Sequence, residues 1–121
     1  MKAPCVLFVD DEEGLLELYR TAFAHEGYEV RTATSLPAAR EHLSRGGIDV
    51  VVLDIRLPDA SGLDLLREIK AGMPSPPVVL STAFARYQDE FSSWLADAYV
   101  VKSSDLGELK TAVAGCLERA R

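Results

Sequence analysis

Short apolar runs alternate with longer amphipathic segments along the whole chain. The runs are four or five residues long and mostly β-branched or aliphatic, which is typical of strands buried on both faces. They cover Cys5–Val9, Tyr28–Thr32, Val50–Leu53, Pro77–Ser81 and Ala98–Val101. Each run predicts one strand of a parallel sheet, because a sheet with one solvated face would show apolar and polar residues in alternation.

Between these runs, apolar residues recur at spacings of three and four, as on a helix with one buried face. Helices are predicted from the first strand to Gly27, from Ser35 to Gly46, over residues 63–73 and over residues 106–117. Residues 84–96 include two adjacent serines and few strong helix formers, which predicts a short or irregular fourth helix. Strand and helix thus alternate five times, which predicts a parallel sheet with helices on both faces.

Two helix starts carry the residues of a capping box. Ser61 is followed three positions later by Asp64, and Asp105 is followed three positions later by Glu108. A short polar side chain at such a position can accept hydrogen bonds from free amides of the first helical turn. Both helices are therefore expected to begin close to these residues.

Composition narrows the class of protein. The chain has 121 residues, which predicts one domain over residues 1–121, and its 13 basic and 19 acidic residues give a net charge of −6. This balance disfavours direct binding to nucleic acid, which needs clustered Lys and Arg. Cys5 and Cys116 form no CxxC motif and are expected to be buried thiols. No apolar run approaches the ~20 residues of a membrane span, and a cytoplasmic location is expected.

Polar residues stand where the predicted strands end. Asp10 and Asp11 follow the first strand, Asp54 the third, Thr82 the fourth and Lys102 the fifth. Because ligands of open α/β sheets bind outside the carboxyl ends of the strands, these side chains are expected to converge on one edge. Three carboxylates, a hydroxyl and an ammonium therefore form the candidate site.

Three neighbouring carboxylates repel one another, and a hard cation would relieve that repulsion. Mg²⁺ prefers oxygen ligands and often completes its shell with water and a substrate phosphate. Asp11 and Asp54 are predicted to be direct ligands, and Asp10 is predicted to act through water. The sequence therefore predicts a magnesium site.

Asp54 has a second predicted task, because a carboxylate can act as a nucleophile and form an acyl phosphate. Mg²⁺ and Lys102 would neutralise charge on the phosphoryl oxygens during the transfer. The Thr82 hydroxyl could donate a hydrogen bond to one of those oxygens. Ser81, its neighbour, is predicted to face away from the site.

Four motifs, in this order, resemble those of the response-regulator receiver domain of two-component signalling systems. They are Val9-Asp10-Asp11-Glu12, Leu53-Asp54-Ile55-Arg56-Leu57-Pro58-Asp59-Ala60-Ser61-Gly62, Ser81-Thr82-Ala83 and Tyr99-Val100-Val101-Lys102. The resemblance spans almost the whole chain. It implies a flavodoxin-like, doubly wound (βα)5 fold whose five parallel strands have the order 2-1-3-4-5.

The resemblance also implies a role for each site residue. Asp54 is the expected phosphoacceptor, and Mg²⁺ is expected to be held by Asp10, Asp11, Asp54 and the backbone carbonyl of Arg56. Lys102 is expected to pair with the phosphoryl group.

Further residues are implied to switch or to tune the reaction. Thr82 and Tyr99 are the expected switch residues, although Tyr99 could equally be plain core filling. Ala83 fits a need for access to the phosphoryl site, and Arg56 and Phe84 occupy variable positions that tune hydrolysis in such domains.

Partners follow from the same resemblance. A sensor histidine kinase or a phosphotransfer protein would donate the phosphoryl group, in the cytoplasm of a bacterium. An output domain or protein would bind the face formed by the fourth helix, fifth strand and fifth helix. Formation of a homodimer is a further open alternative. Such a domain acts on no external substrate and catalyses only its own phosphorylation and dephosphorylation.

Two departures from the family's sequence pattern keep an alternative function open. Ser103 stands where the family has a proline that follows a cis peptide bond. A cis bond before any residue other than proline costs about 3–4 kcal/mol, so the isomer of the Lys102–Ser103 bond stays undecided. Nineteen residues between Thr82 and Lys102 are few for a helix and a strand. An unphosphorylated docking module is therefore the second hypothesis. A haloacid-dehalogenase-type phosphatase is disfavoured, because Arg56 stands where its acid/base aspartate would be.

Overall fold

The computed structural model describes residues 3–57, 60–72, 75–83, 96–103 and 105–120. In chain order, its elements are β1 (Cys5–Val9), α1 (Glu13–His25), β2 (Glu29–Ala33), α2 (Leu36–Arg45), β3 (Val50–Leu53), β4 (Arg56–Leu57), β5 (Ala60–Ser61), α3 (Gly62–Ala71), β6 (Val78–Thr82), β7 (Ala98–Val101) and α4 (Gly107–Arg119). All five predicted strands are present, each within one residue of its expected bounds. Most of the predicted fourth helix, including Phe84, lies outside the described residues.

The five long strands form one sheet in the order β2-β1-β3-β6-β7, and every neighbouring pair is parallel. Counted among the long strands alone, this is the order 2-1-3-4-5, and the doubly wound α/β fold is confirmed. Strands β1, β3 and β6 are buried at every position, which explains why their sequences are apolar without alternation.

The sheet separates two layers of core, one against each face. The Val6 cluster lies under α1 and α4 and consists of Val6, Phe8, Leu16, Tyr19, Phe23, Val50, Val52, Val79, Val100, Leu109, Val113 and Cys116. The Leu7 cluster lies under α2 and α3 and includes Leu7, Val9, Leu36, Ala39, Val51, Leu53, Leu65, Leu66, Ile69, Val78 and Leu80. Neighbouring strand residues belong to different clusters because side chains alternate across a sheet.

Short polar side chains accept amide hydrogen bonds near the start of three helices, although the N-cap of α4 is Leu106 and not the predicted Asp105. Ser35 Oγ accepts a hydrogen bond from the Ala38 amide at 3.3 Å, and Ser61 Oγ accepts one from Leu63 at 3.1 Å. The third interaction is that of Asp105, whose Oδ1 accepts from the Gly107 amide at 2.8 Å. The amides at these helix starts are therefore satisfied locally.

A short antiparallel ribbon is the main local feature that the sequence did not predict. It pairs β4 with β5 immediately after Asp54.

Cys5 and Cys116 are both free and buried, as expected. In the part of the chain that the structure describes, no helix combines the length and apolar character needed to span a bilayer.

Candidate functional site

The edge of the sheet where the strands end holds the acidic residues in register. The Asp10 amide donates to the Ala33 carbonyl and the Asp54 amide donates to the Val9 carbonyl, both at 3.0 Å. These bonds extend the ladders between β1 and β2 and between β1 and β3 by one rung. The two aspartates are therefore fixed by the sheet itself, side by side on adjacent strands.

The lysine and the threonine are joined in the same way at the next pair of strands. The Lys102 amide donates to the Thr82 carbonyl at 2.7 Å. The Thr82 side chain is completely buried, and half-buried Tyr99 packs against the Leu7 cluster. Thr82 has the same parity along β6 as Leu80, so Thr82 and Tyr99 lie on one face of the sheet.

The three carboxylates meet as the sequence predicts. Asp10, Asp11 and Asp54 each offer an oxygen, and these oxygens all lie within 4.8 Å of one another. Asp10 and Asp54 are 3% and 6% exposed, whereas Asp11 faces the solvent. This cluster of hard, anionic oxygen donors with one open side fits a divalent cation such as Mg²⁺.

Lys102 lies between the two buried carboxylates. Its Nζ is 2.6 Å from Asp10 Oδ2 and 3.0 Å from Asp54 Oδ2. The second oxygen of each aspartate accepts a backbone hydrogen bond: Asp10 Oδ1 from the Glu12 amide at 3.0 Å and Asp54 Oδ1 from the Arg56 amide at 3.2 Å. Both carboxylates are thus held in fixed orientations.

Burial and pairing act in opposite directions on the pKa values at this edge. Burial raises the pKa of Asp54 above its ordinary value, although the hydrogen bond and charge of Lys102 partly oppose the shift. For Lys102, burial alone would lower the pKa, but the hydrogen bonds to Asp10 and Asp54 outweigh it and raise the pKa. Lys102 is therefore cationic at neutral pH.

Gly62 lies directly behind the Asp54 backbone, a role that the sequence analysis missed. Its amide donates to the Ile55 carbonyl at 2.7 Å. A Cβ built on Gly62 would lie 2.0 Å from the Asp54 carbonyl oxygen, a distance that backbone atoms cannot accommodate without moving. The β4–β5 ribbon can fold back against Asp54 only because this position has no side chain.

Ser81 contradicts the expectation that it faces away from the site. It has the parity of Val79, so its side chain lies on the Val6 face of the sheet, which also carries Asp10, Asp54 and Lys102. Tyr19 of α1 is buried on this same face.

The predicted tuning positions are less fully defined. The Arg56 side chain, two residues after Asp54, and Ala83, one residue after Thr82, are both exposed. Phe84 lies outside the described residues, as do Pro58 and Asp59 of the second motif.

Comparison with known proteins agrees with this geometry. Residues 6–114 match the response regulator receiver domain family. The probable transcriptional regulatory protein TcrX of Mycobacterium tuberculosis is 38% identical over 116 residues, covering 94% of this chain and 50% of that protein. The response regulator protein PilR of Pseudomonas aeruginosa is 36% identical over 92% of this chain, but over only 25% of its own length. The chain thus spans half or less of these regulators.

Solved structures are similar over nearly the whole chain. The response regulator protein TrrA of Thermotoga maritima, in complex with Mg²⁺-BeF, is 39% identical with a TM-score of 0.90, covering 94% of this chain and 99% of that one. A second structure, of histidine kinase ThkA in complex with TrrA, has a TM-score of 0.88 at the same identity and covers 94% of this chain and 98% of that one.

Proposed function

This chain belongs to the response regulator receiver domain family, and on that premise we propose that it is a Mg²⁺-dependent phosphoacceptor of two-component signalling. Asp54 takes a phosphoryl group from a phosphohistidine, and the phosphorylated domain changes conformation. The observation that carries the proposal is the Lys102 ammonium, held against Asp54 beside two further carboxylates.

Asp54 is the nucleophile of the proposed reaction. One of its carboxylate oxygens forms a bond to phosphorus as the bond between phosphorus and the donor nitrogen breaks, and the electron pair of that bond stays on the nitrogen. The Arg56 amide orients the carboxylate during the attack, because it already donates to Asp54 Oδ1. The product is an acyl phosphate on Asp54.

Lys102 supplies positive charge to this reaction without a large movement. Its ammonium already lies 3.0 Å from Asp54 Oδ2, and its raised pKa keeps it protonated. A phosphoryl oxygen that reaches Asp54 therefore meets a cation and a hydrogen-bond donor. Such prearranged charge is the main contribution that a protein makes to phosphoryl transfer.

Asp10, Asp11 and Asp54 would hold the Mg²⁺, with the backbone carbonyl of Arg56 as a further ligand. When bound, the ion supplies charge neutralisation for the phosphoryl oxygens. The distances among the three carboxylates fit this donor set. The Mg²⁺-BeF complex of TrrA supports the assignment by analogy.

Thr82 and Tyr99 are the proposed switch. The Thr82 hydroxyl would turn toward the phosphoryl group, and the space it leaves on the Leu7 face would allow Tyr99 to repack. Both residues lie on that face of neighbouring strands, which supports their coupling. The resulting population shift changes the surface near β7 and α4, which a partner can bind.

The proposed partners follow from the family. A sensor histidine kinase or phosphotransfer protein is the donor, as the ThkA–TrrA complex suggests, in the cytoplasm of a bacterium. An output domain or protein reads the surface near β7 and α4, either from the same polypeptide or from another, and a homodimer is one form that this can take. The domain has no external substrate. Ala83, Arg56 and Phe84 are proposed to set the lifetime of the acyl phosphate.

The test is the intact mass of the domain after incubation with Mg²⁺ and a small-molecule phosphodonor. We expect one added phosphoryl group, absent without Mg²⁺ and absent in Asp54→Asn. Asp64→Asn is the matched control, because Asp64 is an exposed acid that pairs with Arg67 and does not belong to the cluster of three carboxylates. An unmodified wild-type domain under these conditions would reject the proposal in favour of an unphosphorylated docking module.

A further inference from the structure

Gly62 is the buried first residue of α3, and its backbone conformation does not call for glycine. Among the described residues, the glycines with positive φ are Gly27, Gly46 and Gly47. Alanine could therefore adopt the φ of Gly62, and only space excludes a side chain. A Cβ there would lie 2.0 Å from the Asp54 carbonyl oxygen and 2.9 Å from the Asp54 carbonyl carbon. Both obstructing atoms belong to the proposed phosphoacceptor.

The obstruction is backbone, so no change of rotamer can relieve it. The Asp54 amide is bonded to the Val9 carbonyl at 3.0 Å, which fixes this peptide against β1. The next residue, Ile55, is 3% exposed and packs in the Leu7 cluster. The Gly62 amide donates to the Ile55 carbonyl at 2.7 Å. The start of α3 is thus pressed against a backbone segment that is held from the other side.

The segment that this contact closes carries the Arg56 peptide. Arg56 pairs with Ser61 in the β4–β5 ribbon, and Gly62 follows Ser61 directly. The Arg56 amide donates to Asp54 Oδ1 at 3.2 Å, and its carbonyl is the proposed fourth ligand of Mg²⁺. Both ends of the ribbon therefore contact Asp54, one at its backbone and one at its carboxylate. A displacement at Gly62 reaches Arg56 through a single strand pair.

We propose that Gly62 is a positioning residue of the phosphoacceptor site. Because it lets α3 begin against the Asp54 backbone, it holds the ribbon where the Arg56 peptide can orient the Asp54 carboxylate and bind Mg²⁺. This inference rests on the proposed function. Gly62 touches no reacting atom and acts through Arg56, so its effect on metal affinity is separate from its effect on stability.

The experiment compares Gly62→Ala, Leu57→Ala and Ser61→Ala with wild type. Half-buried Leu57 packs against the Leu7 cluster, so Leu57→Ala loosens the ribbon without a clash and tests the same link if Gly62→Ala fails to fold. Ser61→Ala is the matched control, because it removes the hydrogen bond from the Leu63 amide to Ser61 Oγ and adds no atom near Asp54. For each protein we would measure the Kd for Mg²⁺ by titration calorimetry, the phosphorylation rate with a small-molecule phosphodonor and the free energy of unfolding.

We expect Gly62→Ala to raise the Kd for Mg²⁺ about tenfold, as is typical when a group that orients metal ligands is disturbed. The Mg²⁺ concentration that gives half the maximal phosphorylation rate should rise by the same factor, so added Mg²⁺ should recover part of the lost rate. Leu57→Ala should raise the Kd about two- to fivefold, since the ribbon is loosened and not displaced. Ser61→Ala should lose stability with its helix cap but keep the Kd within about twofold of wild type.

Three results would overturn the inference. An unchanged Kd in a folded but less stable Gly62→Ala would show that the glycine serves the fold alone. An equal rise of the Kd in Ser61→Ala would attribute the effect to a general loosening at the start of α3. If Gly62→Ala does not fold, an unchanged Kd in Leu57→Ala would separate the ribbon from the metal site.

Failure of the proposed function gives a different result. A wild type that binds Mg²⁺ but gains no phosphoryl group would reject the phosphoacceptor reaction. The Kd comparison would still decide the role of Gly62 at the metal site, where a raised Kd in Gly62→Ala supports it and an unchanged one overturns it.

Discussion

The Lys102 ammonium lies closer to Asp10, at 2.6 Å, than to the proposed nucleophile Asp54, at 3.0 Å. The lysine thus compensates two buried carboxylates rather than one. Its positive charge occupies the same acidic cluster that would attract a divalent cation. The two cations would repel each other there, and this repulsion would weaken metal binding.

Replacing Lys102 with glutamine should therefore strengthen Mg²⁺ binding while it slows phosphorylation. Removing the ammonium relieves its repulsion of the metal, and we expect a Kd about three- to tenfold lower, which corresponds to roughly 1 kcal/mol. Titration calorimetry measures the affinity, and intact mass against time measures the transfer.

Lys70→Gln is the control for this change, because Lys70 pairs with Asp97 at the opposite end of the strands. It removes the same net charge from the protein. An equal gain in affinity in Lys70→Gln would attribute the effect to overall charge and not to the site.

Asp54→Asn should stabilise the metal-free domain at neutral pH. Burial raises the pKa of Asp54 above the ordinary value of 3.8, so the native state binds this proton more readily than the unfolded state. The contribution of Asp54 to stability is therefore greatest below the unfolded pKa and is lost as pH rises through the folded pKa.

Urea denaturation at pH values from about 4 to about 7 tests the sign of this pH dependence of stability. The advantage of Asp54→Asn over wild type should be largest near pH 7 and should shrink as the pH falls toward about 4. Exposed Asp64→Asn serves again as control. An advantage that grew on acidification would contradict the raised pKa.

Gly62→Ala should destabilise the domain by more than about 2 kcal/mol, since the new methyl group would collide with the Asp54 backbone. Thermal and urea denaturation give the loss. Gly72→Ala is the matched variant, because a Cβ there meets nothing nearer than 3.5 Å. Comparable losses in the two variants would show that the ribbon yields easily at Gly62.

The Asp97 side chain links the start of β6 to α3 through hydrogen bonds. Its Oδ2 accepts hydrogen bonds from the Val78 amide at 2.8 Å and from Lys70 Nζ at 2.6 Å. Asp97→Ala should cost about 1–3 kcal/mol because it leaves the Val78 amide without this partner. Lys70→Ala should cost less than about 1 kcal/mol, since an exposed ion pair contributes little. The reverse order in urea denaturation would assign the stability to the ion pair.

Thr82→Ala should separate phosphorylation from its structural consequence. The variant keeps Asp54 and Lys102, so it should still gain the phosphoryl mass. Without the hydroxyl, the amide resonances near Tyr99 should shift less upon addition of beryllofluoride. Thr82→Ser retains the hydroxyl and should respond like wild type. Full shifts in Thr82→Ala would remove Thr82 from the switch.

The sequence predicted the positions of the strands because buried parallel strands leave an unusually simple pattern. Its two errors of one residue have local causes. The Tyr28 amide still bonds to the Phe23 carbonyl at the end of α1, so β2 begins at Glu29, and Pro77 has no amide with which to join a ladder.

The site was predictable wherever it depends on strand ends, as for Asp10, Asp54 and Lys102. The face on which Ser81 lies was predicted wrongly, because the register that assigns alternate residues of β6 to the two faces is fixed only when the strand pairs with its neighbours. The steric role of Gly62 was hidden for a similar reason: the close approach arises from the β4–β5 ribbon, whose strands are too short to leave a period in the sequence.

The division of the core by the sheet bears on how this domain could be redesigned. The Val6 cluster and the Leu7 cluster are separated by a layer of backbone, so the two sets of side chains can be repacked as independent libraries, with effects on stability that add. An engineer could remodel the α2 and α3 layer for thermal tolerance without disturbing Tyr19, Ser81 or the lysine above them.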